Sequence, residues 1–363
     1  MTREQAYLFR HTLLRDAAYD LQLPAERGML HELAAEVLEI VHADELDVAA
    51  SEIAEHLRIS GRHPGREREY TVRGARHAHD NYNHDVAARL LKRQGEIGTP
   101  NEVVEAHQFL YGVLRGHFSD KRGARSQALA LWRVGRRLGA PAVVSQALTL
   151  LAGLERGARA RRLLRRSFVL AKRAQAWLPA ALAVGNLGAG YAAEDEHWRA
   201  RRLFMYSIRL HRRANNPVGV GFFLSSLGGS LRQLGDLAGA ERTAAEGIAV
   251  LEELGAKRYL PTAYGHMATV LEKVGRFDEA EQILGKAEQL AVEIQLQHEL
   301  WKLRVQRAKI ALERGKPAEA LALWRIVADM LVESGEADEL EAARQNLQRA
   351  GARLRLLPPQ AWA

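Results

Sequence analysis

Along residues 141–355, apolar positions spaced three and four apart alternate with short polar breaks, and the alternation renews itself about every 40 residues. Ala160, Ala200, Ala240, Ala280 and Ala320 hold that spacing without drift. Segments beginning near Ala180, Val220, Leu260 and Leu300 each carry an apolar stretch, a break and a second apolar stretch, which predicts one helical hairpin per repeat. A second column, Leu187-Gly188, Leu227-Gly228, Met267-Ala268 and Arg307-Ala308, always ends on a small residue, as a close helix crossing requires. Such hairpins cannot bury their apolar faces alone and must stack, so the pattern predicts an all-α solenoid whose main product is an extended surface.

The punctuation agrees with this register. Turns are predicted near Arg156-Gly157, Glu194-Asp195-Glu196, Gly235-Asp236, Gly275-Arg276 and Gly315-Lys316-Pro317, where glycine suits a helix end of positive φ. Pro141, Pro179, Pro217 and Pro261 recur near the starts of first helices, where a missing N–H costs little. Residues 1–60 are helical with a different grain. Phe9, Leu13, Leu14, Ala17 and Ala18 share one face, and Leu30, Leu33, Ala34, Val37, Leu38 and Val41 repeat the pattern after Leu23-Pro24. Ser60 to Arg68, with Pro64 and two glycines, forms a connection. The organisation read from the chain is a helical linker segment over 1–60, a repeat array over 69–336 and a capping helix over 337–356, followed by a tail containing Trp362. A first hairpin spans residues 69–93 with its turn at Asn81 to Asp85, and a less regular one spans 101–138.

With 47% hydrophobic and 26% charged residues, the chain lies far from the composition of disorder. It has no cysteine, which excludes disulfides, thiolate metal sites and thiol nucleophiles. No apolar run approaches the roughly 20 residues of a membrane span and Met1 to Gln5 lacks a signal pattern, so no membrane association and a cytoplasmic location are expected. The net charge of +8 favours acidic proteins or nucleic acid as partners.

At these columns the chain resembles the tetratricopeptide repeat (TPR) family. Leu227-Gly228 with Leu231, Gly235-Asp236 and Ala240, and Leu271 with Gly275 to Ala280, carry the resemblance most closely. It implies a right-handed superhelix with first helices lining the concave side, although the unit is longer than the usual 34 residues or so. The longer unit looks like the repeats of large bacterial signalling ATPases of the STAND type and of transcriptional regulators. Tyr7 to His11 and Leu13 to Tyr19, followed by Arg27 and Leu30-His31, look like the segment linking the ATPase core of those proteins to their repeats, and Ala54 to Leu57 with Arg73 to Ala78 through Asp85 to Ala88 is similar to their first repeat. The core itself is not represented. No Gly-x-x-x-x-Gly-Lys-Ser/Thr occurs, so neither ATP hydrolysis nor any cofactor is expected.

Chemistry-bearing clusters are sparse. His77, His79 and His84 lack the helical spacing of a metal site, and His11 with Asp16 lacks a nucleophile nearby; no catalytic or metal-ligating residue is assigned. The first helices instead present a column of polar residues, Asn186, Ser226, His266 and Gln306, with Arg232 and Lys273, beside small residues such as Gly185, Gly229 and Gly265. This is the candidate partner-binding groove. Second helices align like charges one repeat apart, Arg161 with Arg201, Arg162 with Arg202, and Lys172 and Arg173 with Arg212 and Arg213, giving a candidate basic docking surface for an acidic protein. The expected function is a non-catalytic protein-interaction module, a TPR-like scaffold or sensor in bacterial signalling or transcriptional regulation, with a peptide segment or acidic surface as partner. Two alternatives stand beside it: a nucleic-acid-binding solenoid using the Arg columns, disfavoured because aromatic residues are only 6% of the chain and do not interleave with the arginines as a stacking platform would require, and a regulatory fragment of a split signalling ATPase.

Overall fold

The computed structural model describes Tyr19 and residues 21–334 and 337–355, which are helical with no strand. The helices in chain order are α1 Pro24–Val41, α2 Leu46–Ser60, α3 Pro64–Asp80, α4 His84–Ile97, α5 Pro100–Gly116, α6 Lys121–Arg137, α7 Pro141–Ala152, α8 Gly157–Arg173 and α9 Trp177–Ala192. They continue as α10 His197–Arg213, α11 Pro217–Gln233, α12 Leu237–Glu253, α13 Leu260–Lys273, α14 Phe277–Glu293, α15 Gln297–Glu313, α16 Pro317–Ser334 and α17 Ala337–Arg355. The apolar face read at Phe9 to Ala18, His11 and Asp16, the Tyr7 to His11 resemblance and Trp362 lie outside the described residues. Two compact bodies divide the chain between Leu110 and Tyr111.

In the N-terminal body α1 packs on α2, α2 on α3 and α3 on α4, around Ala50, Ile53, Leu57, Ala75 and Leu91. The apolar stripe read along α1 turns away from this core: Leu30, Leu33, Val37 and Val41 are exposed, while Gly28 and Ala35 are the buried positions. Arg62 to Glu32 at 3.0 Å and Arg66 to Glu39 at 2.8 Å tie α1 down at its polar flank instead.

The C-terminal body contains the regular repeats. Ala200, Ala240, Ala280 and Ala320 are fully buried and Ala160 is half-buried, and Gly188, Gly228, Ala268 and Ala308 of the second column are all buried. Helices α8, α10, α11, α12, α14 and α15 each run 17 residues. Between successive helices from α8 to α16 one residue adopts positive φ, at Gln175, Asp195, Asn215, Gly235, Gly255, Gly275, Gln295 and Gly315, a constant spacing of half the repeat. Glycine supplies four of these eight turns, and the other four accept the left-handed region in a side chain that glycine would relieve. Asn216 and Asp236 cap the helices that follow, accepting from Gly219 N and Gly239 N at 3.2 and 2.9 Å.

The crossing of α11 with α12 is the tightest in the array. A Cβ on Gly247 would stand 2.5 Å from the Gly221 carbonyl oxygen and 2.8 Å from Ser225 N, and one on Gly228 would stand 2.8 Å from the Ala240 carbonyl oxygen. Those neighbours are backbone and cannot step aside. The next crossing, α10 against α11, buries a histidine. His211 stacks on Phe223 at 5.3 Å and accepts from Asn216 Nδ2 at 3.1 Å through Nδ1, while Nε2 finds no partner. Burial pushes this imidazole down from its ordinary 6.5 to about 4. Protonation would place an uncompensated charge in the core and turn Nδ1 from acceptor to donor, removing the Asn216 bond.

Two measurements test these crossings. In an open helix Gly→Ala stabilises by up to about 1 kcal/mol; this is expected at Gly229, where a Cβ meets nothing within 4 Å. Gly247→Ala should instead destabilise by about 1–3 kcal/mol through overpacking. Urea unfolding of both variants checks the opposite signs, and equal shifts would reject the crossing. For His211 the unfolded state takes up its proton near pH 6.5 and the folded state only near 4, so stability is lost as pH falls through that window. At pH 4.5 the loss is about 2–3 kcal/mol relative to pH 7.5. The stability difference between His211→Phe and the parent should move by that amount in favour of phenylalanine, and a difference independent of pH would exclude a buried neutral imidazole.

Candidate partner-binding site

In the C-terminal body the first helices pack on one another in succession, α7 on α9, α9 on α11, α11 on α13 and α13 on α15. Second helices have no comparable succession of mutual packing among the described residues, so the array curves with its first helices inside. The array also returns to its own beginning. The Arg258 guanidinium lies over Gly112 and Gly116 of α5, where a Cβ would stand 3.6 and 3.7 Å from it, and Arg156 pairs with Glu339. His117 and Phe118 share a cleft of about 170 Å³ with His298, Trp301 and Met330. The first helices thus form the wall of an enclosed concavity.

The small residues read as groove space divide into two sets. Gly185 sits under Phe223, whose ring a Cβ would meet at 2.2 Å, and a Cβ on Gly265 would touch Gln306 and Leu303 at 3.3 Å. Ser225, in the equivalent position, is fully buried and meets His266 Nδ1 at 3.0 Å. These three residues stitch adjacent first helices together. Gly190 and Gly229, with nothing within 4 Å of a Cβ, are the positions that leave room.

The polar column is split in the same way. Asn186 and Lys273 are exposed, while Ser226, Arg232, His266 and Gln306 are half-buried. Ser226 donates to its own helix at the Phe222 carbonyl, 3.1 Å away, and His266 belongs to the seam. Arg232 Nε and Gln306 Oε1 are buried atoms without a hydrogen-bond partner. Around them stand charged residues of both signs that spacing alone did not gather. Burial, reinforced by Glu313, pushes the Glu272 carboxyl up against the opposing pull of Arg232, Lys309 and Lys273. Burial, with Lys302 and Arg232, pushes His266 down against Glu299. Burial would raise Glu299 too, but Lys302 at 2.8 Å and Thr262 hold it below the ordinary carboxylate range. Sequence reasoning missed Glu299, Lys302, Lys309 and Glu313 because which side of α15 faces α13 depends on the seam between them.

The second-helix arginines occupy the outer side. Arg162, Arg201, Arg202, Arg212 and Arg213 are exposed, and Arg161 is half-buried. Arg161 pairs with Glu194 and Arg199 with Glu196 at 2.7 Å, while Arg212 reaches only 3.9 Å from Glu246. The three histidines remain apart in role: His79 stacks on Phe109 at 4.4 Å, His84 is buried and His77 lies beside Asn81. No group of three or more histidines and carboxylates among the described residues could hold a metal ion. A larger cleft of about 680 Å³ in the N-terminal body is walled by charges that neutralise one another, Arg73 with Asp47 and Arg76 with Glu105 at 2.9 Å among them.

No family model and no curated protein matches the chain. Solved structures do. A Rap protein complexed with Competence and Sporulation Factor matches with a TM-score of 0.53 at 12% identity over 92% of this chain and 98% of its own. NprR in complex with its cognate peptide NprX gives 0.52 at 13% identity, over 74% of this chain and 83% of that one. A STAND signal-transduction ATPase with a tetratricopeptide repeat sensor, from Pyrococcus horikoshii, gives 0.52 at 12% identity, over 82% of this chain and 45% of its own. The fold is therefore that of the helical-hairpin solenoids. Within that class it is a solenoid of the tetratricopeptide type, as the alanine and Leu-small columns indicated. Among the described residues no helix is long and apolar enough to cross a membrane.

Proposed function

We propose that this chain is a non-catalytic recognition module that binds an extended segment of a protein partner along the inner wall of α9, α11, α13 and α15, in bacterial signalling or transcriptional control. The observation that carries this reading is two unpartnered buried atoms on the first helices, Arg232 Nε, one turn along α11 from the open position at Gly229, and Gln306 Oε1, beside Gly265 on α15's side of the wall. A buried polar atom left unbonded costs about 1–3 kcal/mol, and a peptide backbone offers both an acceptor for the guanidinium and a donor for the amide oxygen. Charges of both signs within reach, Arg232, Lys302 and Lys309 with Glu272, Glu299 and Glu313, suit a ligand that itself carries both, as a polypeptide does. The Rap and NprR structures, each determined with a bound factor or peptide, support the same use of this fold. Nothing in the arrangement calls for a cofactor or a reacting group.

The test is selection of binders from a phage-displayed dodecapeptide library on the immobilised chain, followed by anisotropy titration of the selected peptide. Gly229→Trp starts from a Cβ that meets nothing within 4 Å and fills the open position, so with its circular dichroism unchanged it should weaken binding by at least tenfold, and Gln306→Leu by about fivefold or more, since the latter forfeits one hydrogen bond. Hydrogen exchange should show protection in α11, α13 and α15. Selected peptides that bind both variants as tightly as the parent would remove the inner wall from consideration.

A further inference from the structure

The outer side of α9 carries a second surface of different chemistry. Between α9 and α10 runs a groove of about 610 Å³, floored by Leu187 and Leu203 and walled by Tyr191, Trp198, Tyr206 and arginines. Neither α8 nor α10 contains an aspartate or a glutamate. In the later hairpins charges are matched between neighbours, Arg276 with Glu241 at 2.5 Å, Lys257 with Glu293 at 2.6 Å and Arg314 with Glu281 at 3.0 Å. Here the matching is partial: Arg161, Arg199 and Arg212 reach carboxylates, but among the described residues Arg162, Arg202 and Arg209 have none within ion-pair distance.

Arginines and rings alternate along the groove. The Arg199 guanidinium lies 4.8 Å from the Trp198 ring and 5.5 Å from Tyr191, Arg209 lies 5.5 Å from Tyr206, and Arg213 lies 3.7 Å from Trp177. From α8, Arg165 donates to the Tyr191 hydroxyl at 2.7 Å and Lys172 lies 5.9 Å from Phe168. The alternation follows α10 for its whole length, about 25 Å. In sequence these rings are scattered over three helices, so the expectation that aromatics and arginines do not interleave fails in space.

We propose that this groove binds single-stranded nucleic acid without sequence preference. Exposed guanidiniums would neutralise phosphates, and bases would stack on the rings and on the guanidinium planes above them, which is how sequence-tolerant single-strand sites work. The apolar floor offers no set of donors and acceptors that could read a base edge, and nothing in the groove distinguishes ribose from deoxyribose. A purely acidic polypeptide would use the arginines but leave the rings without a role.

The probe is fluorescein-labelled oligothymidylate of 15 nucleotides, titrated by anisotropy between 50 and 200 mM salt. Binding should weaken linearly in log salt with a slope of about −0.7 per phosphate neutralised. Arg202→Glu with Arg209→Glu should flatten that slope and lower affinity at least tenfold. Trp198 is 52% exposed, so Trp198→Ala is tolerable for the fold and should cost between about fivefold and a hundredfold at any salt, with Trp198→Phe restoring most of it. Gly229→Trp should leave oligonucleotide binding intact, which separates this site from the inner wall. Capture of a polyglutamate peptide with no oligonucleotide binding at 50 mM salt would overturn the proposal in favour of an acidic protein. Equal binding of duplex and single strand with Trp198→Ala silent would reduce the groove to a charge patch and overturn it as well.

Discussion

Everything in the C-terminal body depends on backbone approaching backbone where the two helices of a hairpin cross. At Gly247 and Gly221 the carbonyl of one helix occupies the volume of the other's missing Cβ, and at Gly228 the Ala240 carbonyl does the same. Contacts this short set the angle and separation of a hairpin rigidly, because the atoms involved belong to chains already locked in helical hydrogen bonding. Every later hairpin inherits that geometry. A solenoid has no central core to average out a local error, so a crossing held this tightly at one hairpin bears on where side chains some hairpins away will stand.

The repeat was legible in the sequence because a close crossing admits only small residues, and small residues at fixed spacing are visible as a column. Ala200 through Ala320, with Gly188, Gly228, Ala268 and Ala308, are such a column on both sides of the crossing. The turns were legible where glycine occupies them. At Gln175 and Gln295 the same left-handed backbone is imposed by the flanking helices, and the residue type gives no sign of it. The candidate site was less legible, since small residues have two uses in a stack. Gly185 and Gly265 admit a neighbouring ring or amide, Gly190 and Gly229 leave space open, and only the partner's position tells these apart.

Electrostatics divides the array where packing does not. From α12 onward a glutamate on one hairpin meets an arginine or lysine on the next, as Glu241 meets Arg276 and Glu293 meets Lys257, so charge there serves the stacking itself. Exposed pairs of this kind contribute little stability each, and their effect is on register and solubility. Around α8 and α10 the acidic partners are few and lie outside both helices, at Glu155, Glu194, Glu196 and Glu246. Guanidiniums left over settle on the faces of rings, a contact worth roughly 0.5–1 kcal/mol at exposed sites. That is weak enough for a stronger anionic ligand to displace.

The two surfaces lie back to back on one helix. In α9, Asn186 is exposed in register with Ser226, His266 and Gln306 of the inner wall, while Leu187 and Tyr191 form part of the outer groove. The helix between them is about 10 Å across, comparable to the screening length at physiological salt, so direct charge coupling between ligands on its two sides is small. Mechanical coupling is a different matter. Gly185, adjacent to Asn186, carries the Phe223 ring of the next first helix, and Phe223 in turn stacks on His211 of α10, whose helix also forms one wall of the groove. Phe223 and His211 thus form one packed route from the seam beside Asn186 to the helix that walls the groove.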